Sequence, residues 1–397
     1  MDKVLYLVHR IPYPPNKGDK IRSFNILRAL SKKYKVYLAS FIDDSEDYQY
    51  QDTVKEYCEE TYFERMSPKY SKVRSVLGLI RFTPLTLDYY RSRAMQKWVN
   101  DIHKKNHISR VLVFSSSMAQ YVESESFKDT RRIIDFVDID SDKWRQYAAS
   151  KKWPISWVYD REARYLQHYE KKITQAFDYS LFVSEQEARH YKEIHDFSDD
   201  KVGFFNNGVD TDYFSNNVSV DSPYQRNEKV LVFAGAMDYW ANIDAVCWFV
   251  KEVFPLLKNN HLDISFYIVG TNPSEKVKSL ESIDGVYVTG RVEDIRAYVL
   301  NAFCSVAPLR IARGIQNKVL EAMSMAKYVI ASAEAIEGIE LCEGCECAVV
   351  NEVHDYVSAV EHLLDKHENV TAGNSRRCMI EHYGWDASLS KLLGVLN

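Results

Sequence analysis

Residues 307–323, APLRIARGIQNKVLEAM, concentrate groups suited to a diphosphate and a ribose. A strand-like run ends at Leu309, a helical run begins near Asn317, and Arg310, Arg313, Gly314 and Lys318 stand in or just beyond the loop between them. Backbone N–H groups at a helix N-terminus attract anions, arginine and lysine add fixed positive charge, and a glycine lets backbone come close to phosphate oxygens. Glu321 follows Lys318 by three residues, so both lie on one helical face, and its carboxylate has the chemistry to accept ribose hydroxyls. A charged amphipathic surface helix is the competing reading.

Two further segments carry chemistry. Residues 135–144, DFVDIDSDKW, space Asp135, Asp138, Asp140 and Asp142 after a strand-like run. Such carboxylates suit a hard metal, but the glycine and distal glutamate of a calcium loop do not follow. The favoured role is for Asp138 to accept a hydrogen bond from a sugar hydroxyl, or to stabilise positive charge on a sugar, with helix capping by Asp140 or Asp142 as the structural alternative. Residues 9–20, HRIPYPPNKGDK, form a proline-rich loop ending at Gly18 just before a helix, a second place where backbone can approach an anion.

The elements that must position these groups alternate. Apolar, β-branched runs at residues 3–8, 35–40, 110–114, 131–137 and 179–183 are separated by helical periodicity. The same style returns with runs beginning at Val230, Ile264, Val286, Ser305 and Tyr328. Alternation of strand and helix predicts parallel sheets covered on both faces, with ligands beyond the carboxyl ends of the strands. A chain of 397 residues exceeds one ordinary core. The expected division is an acceptor-binding domain over residues 1–205, a hinge over 206–228 rich in Asn, Ser and Asp, a nucleotide-sugar domain over 229–380, and a helix over 381–397 that crosses back.

Composition sets bounds. The net charge of −5 does not suit a nucleic-acid binder. Residues 65–110 hold 11 Lys plus Arg against two acids, interleaved with Val76, Leu77, Leu79, Ile80, Phe82, Tyr89, Tyr90 and Trp98, which predicts local docking on an anionic membrane surface. The chain opens directly on a strand-like segment and has no apolar run of spanning length, which predicts a cytoplasmic protein, peripheral to the membrane at most. Cys342, Cys345 and Cys347 read as ordinary thiols in a turn and strand rather than a metal site.

These motifs together resemble the family 4 retaining glycosyltransferases, and within them the sugar transferases of bacterial PEP-CTERM (exosortase) and exopolysaccharide systems. The resemblance runs over nearly the whole chain, through LVHRIPYPPNKGDKIRS from Leu7, DFVDIDSDKWRQYAA from Asp135, LFVSE from Leu181, NNGVDTDYF from Asn206, GAMDYWANIDAV from Gly235, VTGRVEDIRAY from Val288 and the segment from Ala307. It implies a GT-B fold, two doubly wound Rossmann-like domains with a cleft between them, and transfer from a UDP- or GDP-sugar to a glycan or lipid-linked acceptor with retention and without a required metal. It places Glu321 at the ribose, Gly18 near the diphosphate and sugar, Gly290 and Val292 at the base, and Gly235 in the donor site. Three family positions differ: Arg313 stands for the first glutamate of a pair, and Ala236 and Asn242 stand for the usual diphosphate-binding arginine and lysine. Arg313, Gly314 and Lys318 are then the expected substitutes. A nucleotide-sugar epimerase and a catalytically silent sugar-nucleotide-binding subunit are the rival functions.

Overall fold

A computed structural model describes residues 1–225, 228–312, 315–365 and 372–397. The chain forms two compact units: Met1–Asn207 with Ser388–Asn397, and Gly208–Ala387. The passage from one to the other falls within the expected hinge, of which residues 226 and 227 lie outside the described residues.

The first unit is built on a parallel sheet of β1 (Asp2–Val8), β2 (Tyr34–Ile42), β3 (Glu60–Arg65), β4 (Arg110–Phe114), β5 (Arg131–Val137), β6 (Tyr179–Phe182) and β7 (Val202–Phe204), in the order β3-β2-β1-β4-β5-β6-β7. β1 pairs with β2 on one side and β4 on the other, so the direction of winding reverses between β1 and β4. Val4 to Val8 are all buried, as a central parallel strand covered on both faces requires. The second unit repeats the plan with β8 (Lys229–Ala234), β9 (Ile264–Val269), β10 (Val286–Gly290), β11 (Cys304–Ala307), β12 (Val329–Ala331) and β13 (Cys347–Val349), in the order β10-β9-β8-β11-β12-β13. Its winding reverses between β8 and β11. Crevices at such reversals are where open α/β sheets bind ligands. Both sheets therefore direct attention to the ends of the strands that the sequence motifs follow.

β3, β7 and β13 had no counterpart among the apolar runs. All three are edge strands, and β7 and β13 are only three residues long. β3 is half-buried along most of its length and mixes charged with aromatic residues, and β7 and β13 are too short to stand out as runs.

The first unit is held internally by an ion pair that reaches across its sheet. Arg22, on the helix Gly18–Lys33, and Asp135, on β5, are both fully buried and meet in a bidentate pair at 2.7 and 3.1 Å. The same guanidinium donates to the Phe205 carbonyl and to Asn207 Oδ1 and lies 3.6 Å over the Phe205 ring. Asp135 is thus committed to Arg22 and is removed from the set of carboxylates with metal-binding potential. The last residues of the chain pack in the same unit: Arg110 and Arg131 donate to the carbonyls of Leu396 and Val395, and Tyr34 to Asn397.

One cysteine expectation is corrected. Cys342 is joined to Cys378, 36 residues away, while Cys345 and Cys347 keep free thiols. Cys378 lies far from the cluster in sequence, and only the packing of the helix Gly373–Cys378 brings it there.

Asp135→Ala should lower the stability of the first unit by about 3–5 kcal/mol, because it strands a buried guanidinium. Urea unfolding followed by a probe in that unit measures this; a loss below about 1 kcal/mol would show that water or other acceptors replace the carboxylate.

Candidate functional site

The groups of the second unit gather at the end of β8 and on the helix Asn317–Ser324, which follows β11. The backbone is drawn tight there: a Cβ on Gly270, just beyond β9, would lie 1.6 Å from the Gly235 carbonyl oxygen, so that position excludes every side chain. Gly235 N–H donates to Val269, and Gly270 N–H to the Gly290 carbonyl. Gly290 has φ of +66°, in the left-handed region where glycine is unstrained, and its missing Cβ faces open space. Val292 is half-buried and packs on the small apolar cluster of Val230, Val232, Val269 and Ala302.

Asn242, one of the positions where a basic residue was expected, is a buried bridge. Its amide nitrogen donates to the Ala236 carbonyl at 2.9 Å and its amide oxygen accepts from Lys318 Nζ at 2.5 Å. Lys318 also lies 4.6 Å over the Phe233 ring. Burial pushes its ammonium down to about 8, against the opposing charge of Glu321. Burial likewise pushes the Glu321 carboxyl up to about 7, and Lys318 opposes it. Both groups therefore titrate near neutrality on one helical face, three residues apart. The structure thus unites Gly235, Asn242, Lys318 and Glu321. Arg310 does something else: its guanidinium makes a bidentate pair with Asp244 at 2.6 and 2.9 Å on the surface. Arg313 and Gly314 lie outside the described residues.

The first unit presents a polar cluster at the ends of β1, β4 and β5. His9 stacks on Phe114 with ring centroids 5.8 Å apart and lies edge-on to Tyr90, with Nε2 3.6 Å from Asp19. Among the described residues its buried Nδ1 has no hydrogen-bond partner. Burial favours the neutral form of Asp19, but its neighbours His9 and Arg10, the latter donating to it at 2.8 Å, hold its carboxyl well below the usual carboxylate range. Gly18 begins the helix beside it; a Cβ there would meet nothing, so packing does not dictate this glycine.

Ser115 and Val137, directly after β4 and at the end of β5, have φ of +78° and +72°. For β-branched Val137 this is a strained backbone, held by Val137 N–H to Asp135 Oδ1 and by Val183 N–H to the Val137 carbonyl. The strain turns the chain so that the aspartates diverge. Asp138 is half-buried and accepts from Lys143 at 2.6 Å. Asp140 accepts from Ser116 Oγ at 2.8 Å, and burial raises its carboxyl. Asp142 accepts from Gln146 and Arg145 on its own helix. Neither Asp140 nor Asp142 is the helix cap; that position is Ile139, and both aspartates lie in the first turn, where the helix dipole favours them.

Sequence reasoning missed His9 and Glu170. Glu170, buried on the helix Ile155–Ala176, accepts from Ser141 N–H and Oγ at 3.0 and 2.6 Å; burial, then Asp140, pushes it up to about 8. No local motif marks it, since the contact spans 29 residues. Among the described residues, the sulfur atoms of Cys342, Cys345 and Cys378 are grouped within 4.8 Å, but the disulfide leaves only Cys345 as a thiol there.

Residues 228–366 match the family model described as glycosyl transferases group 1. The matched segment lies within the second unit. The chain is 21% identical to a Klebsiella pneumoniae protein described as an uncharacterized 44.6 kDa protein in the cps region, over 94% of this chain and 92% of that one. A glycosyltransferase from Rickettsia africae has the same fold, with a TM-score of 0.64 at 14% identity over 100% of this chain and 98% of that one. So does Anabaena HepE in complex with UDP, with a TM-score of 0.62 at 13% identity over 99% of each chain. The fold is the two-domain α/β architecture of GT-B glycosyltransferases.

The Glu170 carboxyl, raised from 4.5 to about 8 in the folded chain, contributes stability that is fully present below 4.5 and lost as pH rises toward 8. Between pH 5 and 8 the first unit should lose on the order of 1 kcal/mol per pH unit from this group, and Glu170→Gln should flatten that slope. Urea midpoints of both proteins at pH 5, 6.5 and 8 measure the difference; parallel profiles would contradict it.

Proposed function

We propose that the chain is a retaining glycosyltransferase that moves a hexose-type sugar from a UDP- or GDP-sugar to a glycan or lipid-linked acceptor. The setting is bacterial exopolysaccharide or cell-surface glycan synthesis, as in family 4 and PEP-CTERM-associated transferases, on the cytoplasmic side of an anionic membrane surface. The observation that carries the donor half is the Lys318 and Glu321 pair on the helix Asn317–Ser324, after β11 at the reversal of winding, inside the segment that matches the group 1 family. A neighbouring fold solved with UDP and glucose, that of HepE, supports a nucleotide-sugar donor. The Klebsiella relative from a cps region supports a polysaccharide setting.

In this reading Glu321 accepts the ribose hydroxyls. Lys318, oriented by Asn242, and the N-terminus of the helix meet the diphosphate as negative charge develops on it. Arg313 and Gly314 complete the phosphate contacts from the preceding loop, and Gly235, Gly290 and Val292 line the donor with backbone. Arg310 assists only by leaving Asp244. Asp138 acts on the sugar or acceptor, with Lys143 setting its charge. Retention by front-face attack needs no protein nucleophile and no metal: stabilising the leaving diphosphate and excluding water supply the catalysis.

Lys318→Ala should slow transfer about 10- to 1000-fold while leaving nucleoside binding nearly intact. UDP affinity should be greatest between pH 7 and 8, where Glu321 is ionised and Lys318 still charged. Uridine, which has no phosphate to titrate, should bind more weakly as pH falls below 7, by up to about 10-fold per unit, and Glu321→Gln should abolish that dependence. Calorimetric titration of both ligands across pH 5.5–9 tests the pair; a flat uridine profile in the wild type would remove Glu321 from the ribose. Asp138→Asn should lower turnover more than donor affinity, and equal turnover would return Asp138 to a structural role. A donor-plus-acceptor assay separates transfer from epimerisation and from binding alone.

A further inference from the structure

Large exposed apolar side chains are concentrated on one part of the first unit. Trp153 is 80% exposed, Phe82 73%, Val73 71%, Tyr147 54%, Trp157 52% and Ile155 50%. All six lie on the helix Pro68–Arg81, on the residue that ends it, or on the hairpin formed by the helices Asp140–Ser150 and Ile155–Ala176. These elements are neighbours. Arg161 donates to the carbonyls of Gly78 and Thr83, and Glu162 accepts from the N–H groups of Leu85 and Thr86. Trp157 precedes Arg161 by four residues and so shares its helical stripe, next to the chain around Phe82. Ring contacts of Trp144 with Tyr147 at 6.0 Å and Tyr159 at 5.1 Å hold the hairpin tip together.

An apolar surface this concentrated needs an occupant. Lys72, Lys151 and Lys152 are exposed within it. Lysine is depleted at the centres of protein interfaces, and a two-fold pairing of this face would set like charges against each other. Tryptophan and aromatic rings next to lysines instead match the headgroup boundary of an anionic bilayer.

This surface keeps the part of residues 65–110 that includes Phe82 and the helix Pro68–Arg81, and drops the rest. Leu87, Met95, Val99 and Ile102 are buried in the core, with Tyr89, Tyr90 and Trp98 packed against it. The side chains of Val76, Leu77 and Ile80 lie outside the described residues.

We propose that the helix Pro68–Arg81 and the hairpin tip around residues 147–157 form a membrane-docking surface. Trp153, Trp157 and Phe82 enter the headgroup region of an anionic bilayer, and Lys72, Lys151 and Lys152 meet its charge. The proposal deepens the membrane part of the function given above and rests on that part alone. The helices Pro68–Arg81 and Asp140–Ser150 follow the carboxyl ends of β3 and β5, so docking brings the edge of the sheet that carries His9 and Asp138 toward the lipid.

The test is flotation of the full chain with vesicles of phosphatidylcholine alone or mixed with phosphatidylglycerol, at low and high salt. The wild type should bind only the mixed vesicles, in a salt-sensitive way, with a blue shift of tryptophan emission. Trp153→Ser with Trp157→Ser should weaken binding about 10-fold or more, and Lys151→Glu with Lys152→Glu should remove most of the preference for anionic lipid. Unchanged unfolding midpoints and unchanged UDP binding would show that fold and donor site are intact. If the tryptophan variant binds as the wild type does, this surface is wrong while membrane contact stands. If the wild type ignores every vesicle, both fail, and lipid-free dimerisation that the same variant abolishes would assign the face to a second copy instead.

Discussion

The burial of Arg22 against Asp135 is the constraint on which the first unit turns. A guanidinium with no exposure must have every donor satisfied, and its partners come from the middle of β5, the end of β6 and residues 205–207. The helix that carries Arg22 also carries Asp19 and begins at Gly18, so one ion pair sets the helix entry that faces His9. Asp135 has a second duty: its Oδ1 accepts from Val137 N–H, which holds that residue in its strained conformation. The divergence of Asp138, Asp140 and Asp142 follows from that turn. Four carboxylates that are close in sequence become an arginine partner, a lysine partner, a hydroxyl acceptor and a helix-surface group.

The second unit solves a different electrostatic problem. Its two ionisable site groups, Lys318 and Glu321, are both penalised by burial and each lessens the penalty on the other. Asn242 adds a neutral acceptor that fixes the ammonium without neutralising it. A carboxylate in its place would bind the lysine more strongly and leave less positive charge for an anion. A basic residue in its place would repel it. An asparagine at position 242 and a lysine at 318 thus make a consistent pair, in which the cation sits on the helix after β11 rather than on the one after β8.

The alternation of apolar runs with helical periodicity determined by itself that there would be two parallel α/β sheets, because strands buried on both faces must be nearly continuous in Val, Ile and Leu. Reading the loops after those strands puts Glu321, Lys318 and Asp138 forward as candidates, since ligand groups in such folds follow strand ends. Tertiary structure alone decided the partners. Asn242 meets Lys318 across 76 residues, Arg22 meets Asp135 across 113, Glu170 meets Ser141 across 29 and Cys342 meets Cys378 across 36. It also decided that Arg310 is tied to Asp244 and that the apolar residues of the helix Arg93–Asn106 face the core while Trp153 and Trp157 face outward. Local sequence carries periodicity and turn chemistry. Which charge is neutralised, and which apolar face is covered, depends on what distant segments bring to the same place, and no local pattern encodes that.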